Sequence, residues 1–128
     1  MSLTHPHART WYKRLTVAQV NAGYIAVPAH PGRTYTVVDG WARAYGGAAG
    51  STTSVDVTDG TTVAIAFGVT GLTENAVLRA GATNTTATNV GTASATGAAL
   101  SIANTGTAVD TATHIDVFIA YKVTAPVT

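Results

Sequence analysis

The chain has 128 residues, of which threonine and alanine supply 24 each, while cysteine is absent and charged residues make up 10%. Acid–base catalysis and metal binding need clustered carboxylates, histidines or thiols, and these groups are scarce, so we expect no enzyme activity, no metal site and no cofactor. The length predicts one domain, and the net charge of +1 argues against disorder. No apolar run approaches the roughly 20 residues that cross a bilayer, so we expect no membrane partner.

Residues 1–14 are predicted to form a basic N-terminal arm in front of a single β-sandwich domain at residues 15–128. No acidic residue precedes Asp39. The arm has neither apolar alternation nor an apolar signal-peptide core, so we expect an extended segment of a protein made in the cytoplasm. Two roles are open: its aromatic side chains cover a sheet edge, or the arm docks on an acidic neighbour through aromatic anchors and cations. The candidate partner-binding residues are Arg9, Trp11, Tyr12, Lys13 and Arg14.

Three strands are predicted after the arm. Short β-branched or aromatic runs at residues 15–20 and 24–27 flank the turn-forming Asn21-Ala22-Gly23 cluster. A long strand follows at residues 33–45, where apolar side chains at odd positions, Trp41 among them, are interrupted by Asp39 and Arg43. We predict a bulge at Asp39-Gly40, which would re-aim the side chains of this strand.

Residues 53–57 and 61–69 are predicted to form alternating strands around Asp59-Gly60, a recognised hairpin signal. A two-residue loop at this dipeptide would mix polar and apolar side chains on each face of the hairpin. A shift of one residue instead places Val57 opposite Val63 and Val55 opposite Ile65. We therefore predict a connection of odd length or a bulge.

The rest of the chain contains a long loop and the clearest strand. Residues 72–80 fit a single helical turn or a strand around residues 76–79, and we favour the strand. Residues 81–97 are almost purely Ala, Thr, Asn and Gly, which predicts a surface loop. A strand at residues 98–103 precedes one at residues 113–123, whose odd positions define one buried face: Ile115, Val117, Ile119, Tyr121 and Val123. About eight strands with short turns predict an all-β fold, an antiparallel β-sandwich or jelly roll.

Few groups in the sequence suggest a ligand site. His5 and His7 could offer two ligands to a metal, but no nearby acid or thiol completes a set. His114 and Asp116 share a face of the last strand, where we expect an exposed hydrogen-bonded pair rather than a site. The body has a near-balanced charge and offers no basic patch, so we expect no nucleic-acid partner.

Several motifs at turns and strand ends form a pattern between residues 15 and 123. They include Val20-Asn21-Ala22-Gly23-Tyr24, Pro31-Gly32-Arg33-Thr34-Tyr35, Val38-Asp39-Gly40-Trp41, Leu72-Thr73-Glu74-Asn75 and Ala120-Tyr121-Lys122-Val123. In these motifs the chain resembles small virion proteins of tailed bacteriophages and prophages, in particular head decoration, or cement, proteins. The basic arm has no counterpart among the motifs.

The resemblance implies a structural protein without a cofactor, made in the host bacterial cytoplasm and located on the capsid exterior of the virion. Its expected partners are the major capsid protein, whose adjacent subunits it would clamp, and its own copies in a homotrimer. The alternative is a tail, baseplate or fibre-associated β-sandwich that binds a host glycan through Trp41 or the loop at residues 81–97. Tyr35 could stack on sugars beside Trp41, although core aromatics are the commoner explanation. A pilin-like or adhesin subunit is disfavoured because no signal peptide is evident.

Overall fold

The structure, a computed structural model, describes residues 9–50, 52–61, 63–80 and 98–124. These residues form eight β-strands and one short helix. In chain order the elements are β1 (Arg9–Thr16), α1 (Val17–Ala22), β2 (Tyr24–Val27), β3 (Thr34–Tyr45), β4 (Thr52–Thr58), β5 (Val63–Gly68), β6 (Val77–Arg79), β7 (Leu100–Gly106) and β8 (His114–Thr124). The loop predicted at residues 81–97 and the His5 and His7 pair lie outside the described residues.

The strands form two sheets of four strands each. The first sheet has the order β1-β8-β3-β6, and the second has the order β2-β7-β4-β5. Neighbouring strands are antiparallel in both sheets. The predicted all-β, antiparallel class with about eight strands is therefore confirmed over the described residues.

One hydrophobic core draws side chains from both sheets. Strand β8 of the first sheet contributes Ile115, Val117 and Ile119, which are fully buried, as the alternation of this strand predicts. The largest fully buried side chains of the second sheet are Phe67, Ile65, Leu100, Ile102 and Val55. Side chains of both sheets thus contribute to one shared core.

The N-terminal segment is part of the first sheet and not a separate arm up to residue 14. Strand β1 pairs with β8 along its whole length, from Arg9 opposite Tyr121 to Thr16 opposite His114. Leu15 near its end is fully buried. The boundary predicted between an arm at residues 1–14 and a domain at residues 15–128 therefore falls inside a strand. Residues 1–8 lie outside the described part of the chain.

A helix replaces the last four residues of the strand predicted at residues 15–20. Helix α1 begins after a capping box, in which the Gln19 backbone N–H donates to Thr16 Oγ1 at 3.2 Å and the Thr16 N–H donates to Gln19 Oε1 at 3.0 Å. The helix ends at Gly23, which has φ +83°. No helix in the described ranges is both long and apolar enough to span a membrane.

Strand β3 contains the bulge predicted from Asp39-Gly40. Its pairing with β8 shifts register between Val37 and Asp39. The odd-numbered Tyr35 is buried before the shift, whereas the even-numbered Ala42 is buried after it. The bulge therefore moves Trp41, which the odd–even pattern assigned to the buried face, to the outer face of the first sheet.

The β4–β5 hairpin also contains a bulge, between Val57 and Thr58, which confirms the predicted irregularity. The predicted register is wrong by two residues, because Val57 lies opposite Ile65 and Val55 lies opposite Phe67. The connection is longer than the Asp59-Gly60 dipeptide, because β4 ends at Thr58 and β5 begins at Val63. Within it the Thr61 backbone N–H donates to Asp59 Oδ1 at 2.8 Å. A shift of two residues keeps the same side chains on the buried face.

Gly40 in β3 lies where the two sheets approach each other closely. A Cβ atom here would lie 2.9 Å from Ile65 Cδ1 and 2.9 Å from the Phe118 carbonyl oxygen. Because a backbone oxygen cannot move aside easily, we expect Gly40→Ala to lower the free energy of unfolding by about 1–3 kcal/mol. Chemical denaturation followed by circular dichroism measures this loss.

Ile65→Val provides the matched second variant, because it removes the Cδ1 atom that the new methyl group would meet. We expect the double variant to lose less stability than the sum of the two single variants. Strict additivity would contradict the close contact between Gly40 and Ile65.

Candidate binding face on the first sheet

The outer face of the first sheet carries aromatic and charged side chains in two cross-strand rows. In one row Tyr12 and Trp41 both lie opposite Phe118 of the central strand β8. In the next row Arg14 and Arg43 both lie opposite Asp116. Alternation along the strands places all of them on the side away from the core. We define the aromatic–arginine face by these rows and their neighbours: Tyr12, Arg14, Trp41, Arg43, Tyr45, Arg79, Asp116 and Phe118.

The aromatic row is a continuous apolar strip. Trp41 stacks on Phe118 with ring centroids 6.0 Å apart and an interplanar angle of 13°. Tyr12 lies 5.7 Å from the Trp41 ring at a tilt of 41°. Tyr12 remains 51% exposed, and Trp41 and Phe118 are half-buried. The strip therefore presents to solvent an apolar surface that its own strands do not cover.

The charged row is organised around the Asp116 carboxylate. Arg14 donates from Nε to Oδ1 at 2.8 Å and from Nη2 to Oδ2 at 3.2 Å, and Arg43 donates from Nη2 to Oδ2 at 2.8 Å. The Asp116 side chain is 0% exposed, while those of Arg14 and Arg43 are 43% and 32% exposed. The Arg14 guanidinium also lies 4.5 Å from the centroid of the Tyr45 ring. One buried carboxylate thus fixes two partly exposed cations.

Opposing effects act on the pKa of Asp116. Burial raises this pKa, but the hydrogen bonds and charges of Arg14 and Arg43 outweigh burial and hold it below its ordinary value of 3.8. The hydrogen bond with Asp116 in turn raises the pKa of Arg14. The cluster is therefore fully ionised at neutral pH and carries an excess of positive charge.

A second ion pair lies at the edge of the same face. Arg79 on β6 places Nη2 2.9 Å from Asp39 Oδ2, and its own side chain is 66% exposed. Water screens such a pair, so it contributes little to stability. The accessible guanidinium nevertheless extends the aromatic row, because Arg79 lies opposite Trp41.

The five residues proposed from the sequence as partner-binding are divided between two sides of β1. Tyr12 and Arg14 belong to the aromatic–arginine face. Trp11 and Lys13 point the other way, where the Trp11 ring centroid lies 6.2 Å from that of Tyr24 and Lys13 Nζ lies 5.2 Å from the same ring. Arg9 lies opposite Tyr121, and its charge partly offsets the effect of burial, which raises the pKa of Tyr121. The structure thus does not bring the five together.

The expected exposed pair of His114 and Asp116 is corrected, whereas the commoner explanation for Tyr35, a core aromatic, is confirmed. Asp116 is buried instead of exposed, and its oxygens accept hydrogen bonds from the arginines instead of forming the expected pair with His114. His114 Nδ1 is buried without a hydrogen-bond partner among the described residues. Tyr35 belongs to the core, where its hydroxyl donates to the Pro28 carbonyl at 2.7 Å. It therefore cannot share a sugar-binding surface with Trp41.

Sequence reasoning missed most of this face. Arg43, Tyr45 and Phe118 were not recognised as candidate partner-binding residues. Part of the signal for this face was present, because all even positions of β8 except Ala120 are polar or aromatic and the bulge in β3 reverses its odd–even pattern. The missing information was the pairing of β1 with β8, which joins residues more than a hundred positions apart, such as Arg14 and Asp116.

The second sheet contains a buried acid with a different environment. Asp56 accepts a hydrogen bond from Ser54 Oγ at 2.7 Å and another from Thr105 Oγ1. These hydroxyl groups satisfy the carboxylate within the protein. Within the described ranges there is no group of three or more His, Cys, Asp or Glu side chains that could hold a metal ion. The aromatic–arginine face is therefore the stronger candidate for a functional site.

Comparison with family models, with curated proteins and with solved structures found no match to this chain. The functional conclusion therefore depends on the site itself. Its side chains are Tyr, Trp, Phe and Arg on an open sheet surface, the residue types that are enriched at the centres of protein–protein interfaces. The fold and this face together define the class of the molecule, an all-β protein with a candidate binding face on one sheet.

Asp116→Asn tests the charged row. The substitution keeps the shape of the side chain but removes its charge, and we expect it to lower the free energy of unfolding at neutral pH by about 1–3 kcal/mol. Because the folded-state pKa of Asp116 lies below its ordinary value, the stabilisation is present above about pH 4 and is lost as the pH falls through the folded-state pKa. Denaturation curves of both proteins between pH 2 and 7 measure the difference.

Asp39→Asn is the matched control, because Asp39 forms a single, exposed ion pair on the same face. Its loss should stay below about 1 kcal/mol. Equal losses for the two variants at neutral pH would show that the Asp116 cluster has no special role.

Proposed function

We propose that the protein is a structural virion protein that binds the outside of a bacteriophage capsid and stabilises it by clamping adjacent major capsid subunits. The aromatic–arginine face is the observation that supports this proposal. Tyr12 and Trp41 supply rigid aromatic contact area beside the cations Arg14 and Arg43, a combination that anchors protein partners. The motifs that resemble those of decoration proteins supply the identity of the partner.

The architecture within the proposal is a β-sandwich or jelly roll. The shared core between the two sheets supports it, because sheets in a sandwich bury one face each and leave the other face open. An open face on the first sheet is then available to the capsid. The protein would act without enzyme activity or a cofactor, and without a nucleic-acid or membrane partner.

The proposed assembly is a homotrimer on the capsid exterior, after synthesis in the host bacterial cytoplasm. A protein present in many copies on a shell needs only modest affinity at each contact, because each copy joins subunits that are already held in place. Many of the buried β3 residues are small, as in Ala42 and Ala44, so additional burial between copies would add to a modest core.

A second candidate function is host-glycan binding by a tail, baseplate or fibre-associated protein. The half-buried Trp41 on an outer face favours this alternative, because aromatic rings bind sugars by stacking. One face of its indole is already stacked on Phe118, which leaves less ring surface for a sugar. For this reason we rank capsid binding first.

Electron cryomicroscopy of the particles that carry this protein tests its location. We expect density for the two sheets on the outside of the head, between adjacent capsid subunits. Density on the neck, tail or fibres would overturn the proposal. Reproducible sugar binding on a glycan array, with no binding to empty capsids, would support the alternative function.

A point variant tests the face in the same system. We expect Tyr12→Ala to weaken binding to capsids that lack the protein by about 10-fold or more, because it removes an exposed aromatic anchor. Deleting residues 1–14 is a poorer test, since it would remove most of β1. Binding is measured by cosedimentation with the capsids.

Ile25→Ala is the matched control, because Ile25 is an apolar residue of similar exposure on β2 of the second sheet. It should leave capsid binding unchanged. If Tyr12→Ala bound as tightly as Ile25→Ala and the wild type, the first sheet would not be the docking face.

A further inference from the structure

The aromatic–arginine face and its edges carry more cations than acids. Arg14, Arg43 and Arg79 lie on the face, and the exposed Lys122 continues it along β8. Among the described residues, two acids form ion pairs with these arginines. Asp116 is buried beneath Arg14 and Arg43. Asp39, at the β6 edge of the face, pairs with Arg79. The surface that a partner meets is therefore positively charged and complementary to an acidic surface.

The guanidinium groups of Arg14 and Arg43 are arranged to bind an anion. Both donate to the same carboxylate oxygen, Asp116 Oδ2, so they are held close together despite their like charges. Arg14 uses Nε and Nη2 in these hydrogen bonds and Arg43 uses Nη2, and both side chains are partly exposed. Guanidinium groups with free N–H donors form strong, charge-assisted hydrogen bonds to carboxylates.

We infer that the aromatic–arginine face docks on an acidic protein surface, with a partner carboxylate bound at the Arg14–Arg43 pair beside apolar contacts to Tyr12 and Trp41. This inference rests on the proposed function, because it specifies the chemistry of the capsid surface that the face recognises. The capsid surface under this protein would present Asp or Glu side chains among apolar ones.

Three other partners fit the face less well. A second copy of the same face would bring its cations against those of the first, and β1 itself carries Arg9, Lys13 and Arg14 without an acid. A nucleic acid or an acidic polysaccharide would need open aromatic surface for its bases or sugars. The stacking of Trp41 on Phe118 restricts that surface.

Nuclear magnetic resonance with a decaglutamate peptide tests the inference on the full chain. The two tryptophans report opposite sides of β1 and its neighbours, since Trp41 lies on the aromatic–arginine face and Trp11 packs beside Tyr24. We expect the peptide to shift the Trp41 indole N–H signal and the Nε–H signals of Arg14 and Arg43, and to leave the Trp11 indole signal unchanged. These shifts should disappear in about 0.5 M salt.

Arg14→Gln and Lys13→Gln are matched variants, because they remove the same charge from adjacent residues that point to opposite sides of β1. Arg14→Gln should weaken decaglutamate binding at least threefold, and Lys13→Gln should leave it nearly unchanged. Arg79→Gln provides a further variant that does not endanger folding, since this side chain is largely exposed. It should also weaken binding.

Several results would overturn the inference. These are shifts confined to the Trp11 side, equal effects of Arg14→Gln and Lys13→Gln, or tighter binding of oligothymidylate or polygalacturonate than of decaglutamate. Capsid cosedimentation separates this inference from the proposed function. Equal capsid binding by the wild type, Arg14→Gln and Arg79→Gln would refute the acidic partner surface and leave capsid binding intact. Decaglutamate binding by a protein located on the tail would refute capsid binding alone.

Discussion

The pairing of β8 with β1 on one side and β3 on the other is the constraint on which the first sheet depends. One set of alternate residues on β8 supplies core side chains such as Ile115 and Ile119, and the other set supplies Asp116 and Phe118 to the outer face. Asp116 adds a side-chain contact to each neighbouring strand, through Arg14 on β1 and Arg43 on β3. The core and the candidate binding face are therefore two sides of one strand, and a change in its register would disrupt both.

The sequence was informative where a pattern stays local and regular. The alternation in β8 was sufficient to predict its buried face, and Asp39-Gly40 was sufficient to predict the bulge in β3. It was misleading where a local break reverses a pattern, because the bulge places Trp41 on the outer face. The capping box of Thr16 and Gln19 was a readable signal for α1 that the β-branched run at residues 15–20 obscured.

The candidate site was harder to predict than the fold because its residues come from distant parts of the chain. Trp11, Lys13 and Leu15 are alternate residues of β1, and the charged Lys13 breaks the apolar alternation that indicates a strand. The sequence of β1 therefore resembled that of a solvated arm. Nothing local indicates that Arg14 and Arg43 meet at Asp116, since that contact depends on the order β1-β8-β3 in the sheet. A single sequence indicates the positions of strands more readily than their order in a sheet. The aromatic–arginine face forms only because β1, β8 and β3 are neighbours in the first sheet.

Stability alone does not explain the Arg14–Asp116–Arg43 cluster. Moving a carboxylate out of water costs several kcal/mol, and apolar replacements of buried ion clusters are often neutral or stabilising. The cluster does, however, restrict two arginine side chains beside aromatic rings, where they would otherwise be flexible. A ligand that binds restricted side chains loses less conformational entropy on binding than one that must order them. In the proposed complex with an acidic partner, Asp116 therefore strengthens binding without contacting the partner, because it orients the two guanidinium groups before that partner arrives.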